Sequence, residues 1–347
     1  MTGPWQNCKD VPLRDRGSVF TDEISLDFAD ACATAAGAGL TFVDVRKLWG
    51  GFSHEVPKER WPEMKRILDD NGLRMGAIQS NFGKCAISGP EYEAHIAFFP
   101  TLVEQAHYFG TDVMRVFPFW NETKVRYDPP FPGGIRPNLE ETLPELVRRF
   151  KPAADLARKE GVWLGFEPEH STYSGSPQEV ARIVEAIDNP HVGVAWDVNN
   201  GWDDCPAEEA YGLFRERIYN VHVKERTLTP DEHRTVRAAL GIAPSGPREV
   251  TPERSAGSST VTSAAVAPAD AAARLRRQPT LLGTGAMPWG DVIRTLERDG
   301  YRGVYSIETH FGVRGTHGWP KLKAATTYFM YALRELLLAA ETALSTV

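Results

Sequence analysis

The chain has 347 residues, of which 42% are hydrophobic, 24% charged and 10% aromatic; it is rich enough in apolar residues to bury a sizeable core, which excludes a disordered chain. At about 150 residues per domain the length suits two domains, or one α/β barrel with insertions. Thirty-nine basic against 46 acidic side chains give a formal charge of −7, which argues against nucleic acid or an anionic membrane surface as partner.

In chain order, a weak first strand is expected near GSVF (17–20). Stronger apolar or β-branched runs follow at TFVDVR (41–46), LRMGAIQS (73–80), DVMRVFPF (112–119), VWLGFE (162–167), HVGVAWD (191–197), IYNVHVK (218–224) and GVYSIE (303–308). Helical periodicity fills the gaps at roughly 24–37, 58–71, 91–109, 139–160, 177–188, 206–215, 288–299 and 321–342. Strand and helix alternate eight times, the pattern of a closed (β/α)8 TIM barrel. An open doubly wound sheet would carry a glycine-rich turn after its first strand, and no GxGxxG or GxxxxGKS occurs. The chain is therefore expected to form a single barrel domain over residues 1–347.

One segment breaks the pattern. Residues 226–280 lie between the seventh and eighth strands, and their middle, SGPREVTPERSAGSSTVTSAAVAPA (245–269), holds no aromatic, Leu or Ile with which to build a core. This long low-complexity excursion is expected to emerge on the barrel's catalytic face as an inserted loop or lid, or to be a tolerated insertion without a role. Cys8, Cys32, Cys85 and Cys205 show no CxxC spacing, so neither a disulfide framework nor a cysteine zinc site is expected. The first residues contain no apolar signal core, and no run of about 20 uncharged apolar residues occurs, so no membrane span and a cytoplasmic location are expected. The stretch ALRELLLAA is interrupted by Arg334 and Glu335 and reads as a packed amphipathic helix.

Glu167, Asp197, His222 and Glu308 fall at or near the C-terminal ends of consecutive predicted strands. In a parallel barrel these ends converge on one face. The steps from Glu167 to Asp197 and from Asp197 to His222 are each about one βα unit, and the longer step to Glu308 contains the excursion. Three carboxylates and an imidazole suit one divalent ion, Mn²⁺ foremost, with Mg²⁺, Co²⁺ or Zn²⁺ as alternatives. Singly, each residue is as readily a cap or a structural polar group; jointly, unpaired carboxylates in an apolar mouth would be costly without a cation. Glu169 and His170 are candidates for the base or for hydrogen bonding to substrate. Lys224 alternates back to the side of His222 and is a candidate to hold a substrate oxygen or a carboxylate. His310, His317 and His54 lie in loops that could reach the mouth. Trp49, Trp120 and Trp202 are candidates to stack on sugar faces or to be rim packing. Arg46 reads as one side of a buried ion pair.

The stretches GFEPEH, VAWDVNN, YNVHVKE and YRGVYSIETHFG, with GLRMGAIQSNFGK and MRVFPFW upstream, resemble the xylose isomerase-like superfamily of TIM barrels, in its sugar phosphate isomerase/epimerase branch. The resemblance spans nearly the whole chain apart from the first 15 or so residues and the excursion. It implies that Glu167, Asp197, His222 and Glu308 bind one divalent metal and that Glu167 and Glu308 double as acid and base. Many relatives carry a His three residues after the strand-end Asp, in contact with substrate or metal; here that position is Asn200, kept as a substrate-binding candidate. The usual GEG before the last unit reads Gly283-Thr284-Gly285. The many additional His ligands of the three-metal apurinic endonucleases are missing. The resemblance implies a metal-dependent isomerase or epimerase of a keto sugar or its derivative, acting by proton abstraction beside a carbonyl. The alternative is a lyase on an oxidised sugar, such as a 3-oxo-glycoside (C- or O-glycoside deglycosidase) or an inosose (dehydratase). Relatives are often homo-oligomers, and some deglycosidases carry a small second subunit. No phosphate cradle stands out, which favours an unphosphorylated substrate.

Overall fold

The computed structural model describes residues 3–121, 125–126, 135–200, 205, 207–226, 248–249, 280–309 and 319–346. Eight parallel strands form its centre: β1 (Gly17–Val19), β2 (Phe42–Val45), β3 (Arg74–Gln79), β4 (Val113–Val116), β5 (Trp163–Phe166), β6 (Val192–Asp197), β7 (Ile218–Val223) and β8 (Tyr305–Ile307). They pair in the order β1-β8-β7-β6-β5-β4-β3-β2, and a single parallel bridge from Phe20 to Asp44 brings the two edges together. The result is a TIM barrel. Eight helices alternate with the strands: α1 (Phe28–Gly37), α2 (Trp61–Asp70), α3 (Pro90–Phe109), α4 (Pro137–Glu160), α5 (Pro177–Ile187), α6 (Ala207–Phe214), α7 (Trp289–Arg298) and α8 (Trp319–Ser345).

Local sequence sets these boundaries. The Asp27 carboxylate accepts the amides of Ala29 and Asp30 to start α1, and Ser176 accepts Glu179 N–H to start α5. Proline opens α3, α4 and α5, where its missing N–H costs nothing. Gly110 and Gly161 adopt the left-handed conformation that closes α3 and α4. The first strand has a weak sequence signal because it is only three residues long and begins with Gly17. A Cβ at Gly17 would press on Leu40 at 3.2 Å and touch Leu333 and Leu337 of α8 at 3.6 Å. In α8, Phe329, Met330, Leu333 and Leu337 are buried, while Arg334 reaches the Ala38 carbonyl beyond the end of α1.

The barrel's two ends differ in chemistry. At the N-terminal end Trp5, Cys8, Phe42, Ala77, Val113, Trp163, Tyr219 and Val304 form one buried cluster. Trp5 plugs it, with its Nε1–H donating to Tyr219 O at 2.6 Å and its backbone N–H to Asp112 Oδ1 at 3.0 Å. At the other end the interior is polar, with Asp44, Gln79, Arg115, Asn220 and His222 all buried.

Cys8, Cys32 and Cys85 are free thiols, and all four cysteines are buried. No helix among the described residues is long and apolar enough to cross a membrane. Of the expected excursion 226–280, Arg226, Arg248–Glu249 and Thr280 are described. Arg248–Glu249 pairs antiparallel with Val125–Arg126 from the connection after β4, and the rest of the segment lies outside the described residues. Replacing Trp5 by Ala should empty the N-terminal plug and destabilise the fold by about 3–5 kcal/mol, as measured by urea unfolding, while divalent-ion affinity at the far end of the barrel stays within about twofold.

Candidate metal centre

The strand order places four possible ligand side chains in one small volume. Glu167 directly follows β5, and its amide donates to Val116 O; Asp197 is the last residue of β6; His222 lies in β7; Glu308 directly follows β8, and its amide donates to Val223 O. The register pairs His222 with Asp197 on one side and with Ser306 on the other. One ligand atom from each of the four residues lies within 4.8 Å of the others, and all four residues are buried.

A hydrogen-bonded chain across the barrel fixes the imidazole. The Asp44 carboxylate accepts from Ser18 Oγ (2.7 Å), Ala77 N (2.9 Å) and Gln79 Nε2 (2.8 Å). Gln79 Nε2 also donates to Asn220 Oδ1 (2.9 Å), whose own amide donates to Ser306 Oγ (2.9 Å). These bonds orient both amides, so His222 Nε2 faces two acceptors, Gln79 Oε1 at 3.2 Å and Asn220 Oδ1 at 3.0 Å. The proton therefore sits on Nε2. His222 Nδ1 points into the cage, 3.7 Å from Glu167 Oε1 and 3.6 Å from Glu308 Oε2. A nitrogen buried there faces two carboxylates, an arrangement that a cation bound between them would stabilise. The donor set, three carboxylates and one correctly tautomerised imidazole, fits a divalent metal.

Fixed cations surround the cage. Arg115 Nη1 donates to Glu167 Oε2 at 2.9 Å and lies 3.8 Å from Glu308 Oε1. Arg46 joins Glu308 (2.5 Å) to Asp22 and Glu23 (2.8 Å each). Lys224 Nζ pairs with Asp197 Oδ2, with Glu308 Oε2 at 2.8 Å and with Glu167 Oε1 at 3.9 Å. Burial and the neighbouring Glu308 push the Glu167 carboxyl up, but the Arg115 guanidinium and the His222 imidazole together outweigh them and hold Glu167 below its ordinary value. At Asp197 burial prevails over Lys224, and the carboxyl is raised. For Lys224 burial is outweighed by Asp197, Glu308 and Glu167, which raise it and keep it an ammonium.

The other sequence candidates differ in their surroundings. Asn200 touches the cage: its Nδ2 donates to Glu167 Oε1 (3.0 Å) and Pro168 O (2.9 Å), and its amide to Asp197 Oδ1. Glu169 stands just outside, half-buried, with Lys84 at 3.0 Å and the Ser171 amide and hydroxyl on its other oxygen; burial pushes its carboxyl up, and Lys84 together with the Ser171 amide outweighs this. His170 is half-buried in the turn that follows. Trp120 is half-buried and bridges to Thr172. His54 stacks on Phe98, ring centroids 3.8 Å apart, among the aromatics of α3, and Trp49 packs between Arg60 and Phe28. His310, His317 and Trp202 lie outside the described residues. Arg115, Gln79, Asn220 and Asp44 are absent from the sequence candidates. Their signal was a polar residue inside an otherwise apolar strand run, with no partner nearby in sequence.

Two outcomes follow. Gln79→Leu removes an acceptor from His222 Nε2 and should weaken Mn²⁺ binding about 10–100-fold, measured by chelator competition. A carboxylate whose value is depressed stays ionised, and keeps its contribution to the cage, as pH falls below its ordinary 4.5. Without Arg115, burial raises Glu167, so in Arg115→Met the loss of Mn²⁺ affinity on acidification should begin at a higher pH than in the unmodified protein.

The family model described as xylose isomerase-like TIM barrel matches residues 32–325. No curated protein matches the chain by sequence. Among solved structures, a xylose isomerase-like TIM barrel protein from Mycobacterium smegmatis in complex with magnesium superposes with a TM-score of 0.61 at 18% identity, covering 94% of this chain and 97% of that one. A probable 3-DHS dehydratase of petrobactin synthesis from Bacillus anthracis gives 0.57 at 15% identity, covering 95% and 98%. A D-allulose 3-epimerase from Methylomonas sp. in complex with D-allulose gives 0.54 at 15% identity, covering 95% and 96%. At such identities these likenesses speak for the fold, and the match over most of the chain speaks for more: the chain belongs to the xylose isomerase-like TIM barrel family.

Proposed function

We propose that the protein is a divalent-metal-dependent isomerase or epimerase of a keto sugar or sugar derivative. The observation that carries this reading is the buried set Glu167, Asp197, His222 and Glu308, with His222 Nδ1 turned into it. A divalent ion held there would draw negative charge from a substrate carbonyl and so acidify the neighbouring C–H. The chain's own residues supply the rest. Glu308 is the group we assign to accept the proton: it lies at the cage edge between Arg46 and Lys224. Glu167, kept ionised by Arg115 and gripped by Asn200, serves as ligand and as the opposing carboxylate. The Lys224 ammonium is positioned to bind a substrate oxygen. Return of the proton to the opposite face gives an epimer, and return to the adjacent carbon gives an isomer. Mn²⁺ is the metal we favour, and the Mg²⁺ of the mycobacterial neighbour is the closest alternative. The substrate we favour is a free, unphosphorylated sugar, because no glycine-rich phosphate cradle stands out in the sequence.

A second reading is elimination from an oxidised sugar, such as a 3-oxo-glycoside or an inosose. Asn200 favours it: its amide is committed to Glu167 and Pro168 and supplies no imidazole where epimerases of the branch carry one. The dehydratase among the neighbours is consistent with it. Incubation of the Mn²⁺-loaded protein in D₂O with ketoses, inososes and 3-oxo-glycosides, followed by NMR, separates the two. Deuterium beside the carbonyl with the carbon skeleton intact is expected; release of water or an aglycone would replace the first reading by the second. Glu308→Gln should lower the exchange rate by about 10²–10⁴-fold, and full exchange by that variant would remove Glu308 from its assigned role.

A further inference from the structure

Lys224 stands inside the ligand set. Its Nζ contacts Asp197 Oδ2, lies 2.8 Å from Glu308 Oε2 and 3.9 Å from Glu167 Oε1. These are three of the four residues whose ligand atoms gather within 4.8 Å. A divalent ion coordinated by these oxygens sits at about 2 Å from each, within the volume that the ammonium fills. Two cations cannot share it, because their repulsion is strong where water is excluded. Carboxylates packed this closely also require a positive charge to stay ionised.

We propose that Lys224 is a tethered place-holder for the metal: its ammonium neutralises the three carboxylates until a divalent ion displaces it, and the displaced side chain then turns toward the barrel mouth to meet the substrate. This rests on the metal-centre reading given above. The backbone around Lys224 is anchored, so the exchange is confined to its four-carbon stem. Trp289 Nε1 donates to Lys224 O at 2.8 Å, and the next carboxylate, Glu225, accepts the amides of Gly283 (3.1 Å) and Met287 (3.0 Å). A flexible stem on a fixed backbone can move its charge by several ångströms without disturbing the strand. Metal therefore binds before substrate, and the exchange couples metal occupancy to the delivery of a positive charge to a substrate oxygen.

The test compares the unmodified protein with Lys224→Met and Lys224→Arg. Mn²⁺ dissociation constants are measured by chelator competition, and melting temperatures with and without Mn²⁺. Lys224→Met should bind Mn²⁺ at least about tenfold more tightly, melt below the unmodified protein without the ion, and regain the difference when saturated. Lys224→Arg, whose planar fork pairs better with carboxylates, should bind Mn²⁺ more weakly than the unmodified protein. Equal Mn²⁺ affinity in all three proteins would overturn the place-holder while leaving the metal centre intact. Folded proteins of which none binds Mn²⁺ would overturn the metal centre and the place-holder with it. Should Lys224→Met fail to fold without the ion, the arginine variant decides: affinity equal to or above that of the unmodified protein overturns the proposal.

Discussion

Placing three carboxylates within a few ångströms of one another, away from water, is the constraint around which the C-terminal end of this barrel is arranged. An unpaired ionised carboxylate is expensive to bury, and Glu167, Asp197 and Glu308 each leave almost no surface exposed. Each is paired with a cation: Arg115 for Glu167, Lys224 for Asp197, and Arg46 with the same Lys224 for Glu308. The two arginines lean outward on further partners, Arg46 on Asp22 and Glu23, and Arg115 on the carbonyls of Gln79 and Ser80. Their positions are thereby set by the scaffold, whereas the position of Lys224 is set by the cage itself. That asymmetry makes the lysine the exchangeable member.

The remainder of the barrel supports this arrangement from below. The imidazole of His222 owes its tautomer to Gln79 and Asn220, and these owe their orientation to Asp44, Ser18 and Ser306. Residues from β1, β2, β3, β7 and β8 thus contribute to one ligand atom. The chain leaves no room for larger groups in this layer: a side chain at Gly76 would run into the Asp44 carboxylate. The apolar plug around Trp5 fills the opposite end.

Much of this was legible in the sequence because the strand ends carry it. GFE, AWD, NVHV and SIE each place a ligand at or beside the end of an apolar run, and parallel topology does the rest. The same runs hid Arg115, Gln79 and Asn220. In strands buried on both faces there is no polar face against which an inward side chain stands out, and their partners lie 52, 143 and 86 residues away for the bonds Arg115–Glu167, Gln79–His222 and Asn220–Ser306. Lys224 was legible as sharing the side of His222, but its three carboxylate partners come from β6, from beyond β5 and from beyond β8, which no local pattern reports. His54 was placed near the mouth by its loop; in the fold, stacking on Phe98 holds it among the aromatics of α3. Trp5 went unread because a lone tryptophan in an irregular segment has no period to betray what it covers.

The most direct measurement is a crystal structure of the protein soaked in Mn²⁺, with the ion located by its anomalous signal. The account requires one strong peak at coordination distance, about 2 Å, from Glu167, Asp197, His222 Nδ1 and Glu308, with the Lys224 ammonium withdrawn from the cage. A cage still holding Lys224 with no peak inside it, or a peak ligated by other residues, would contradict it.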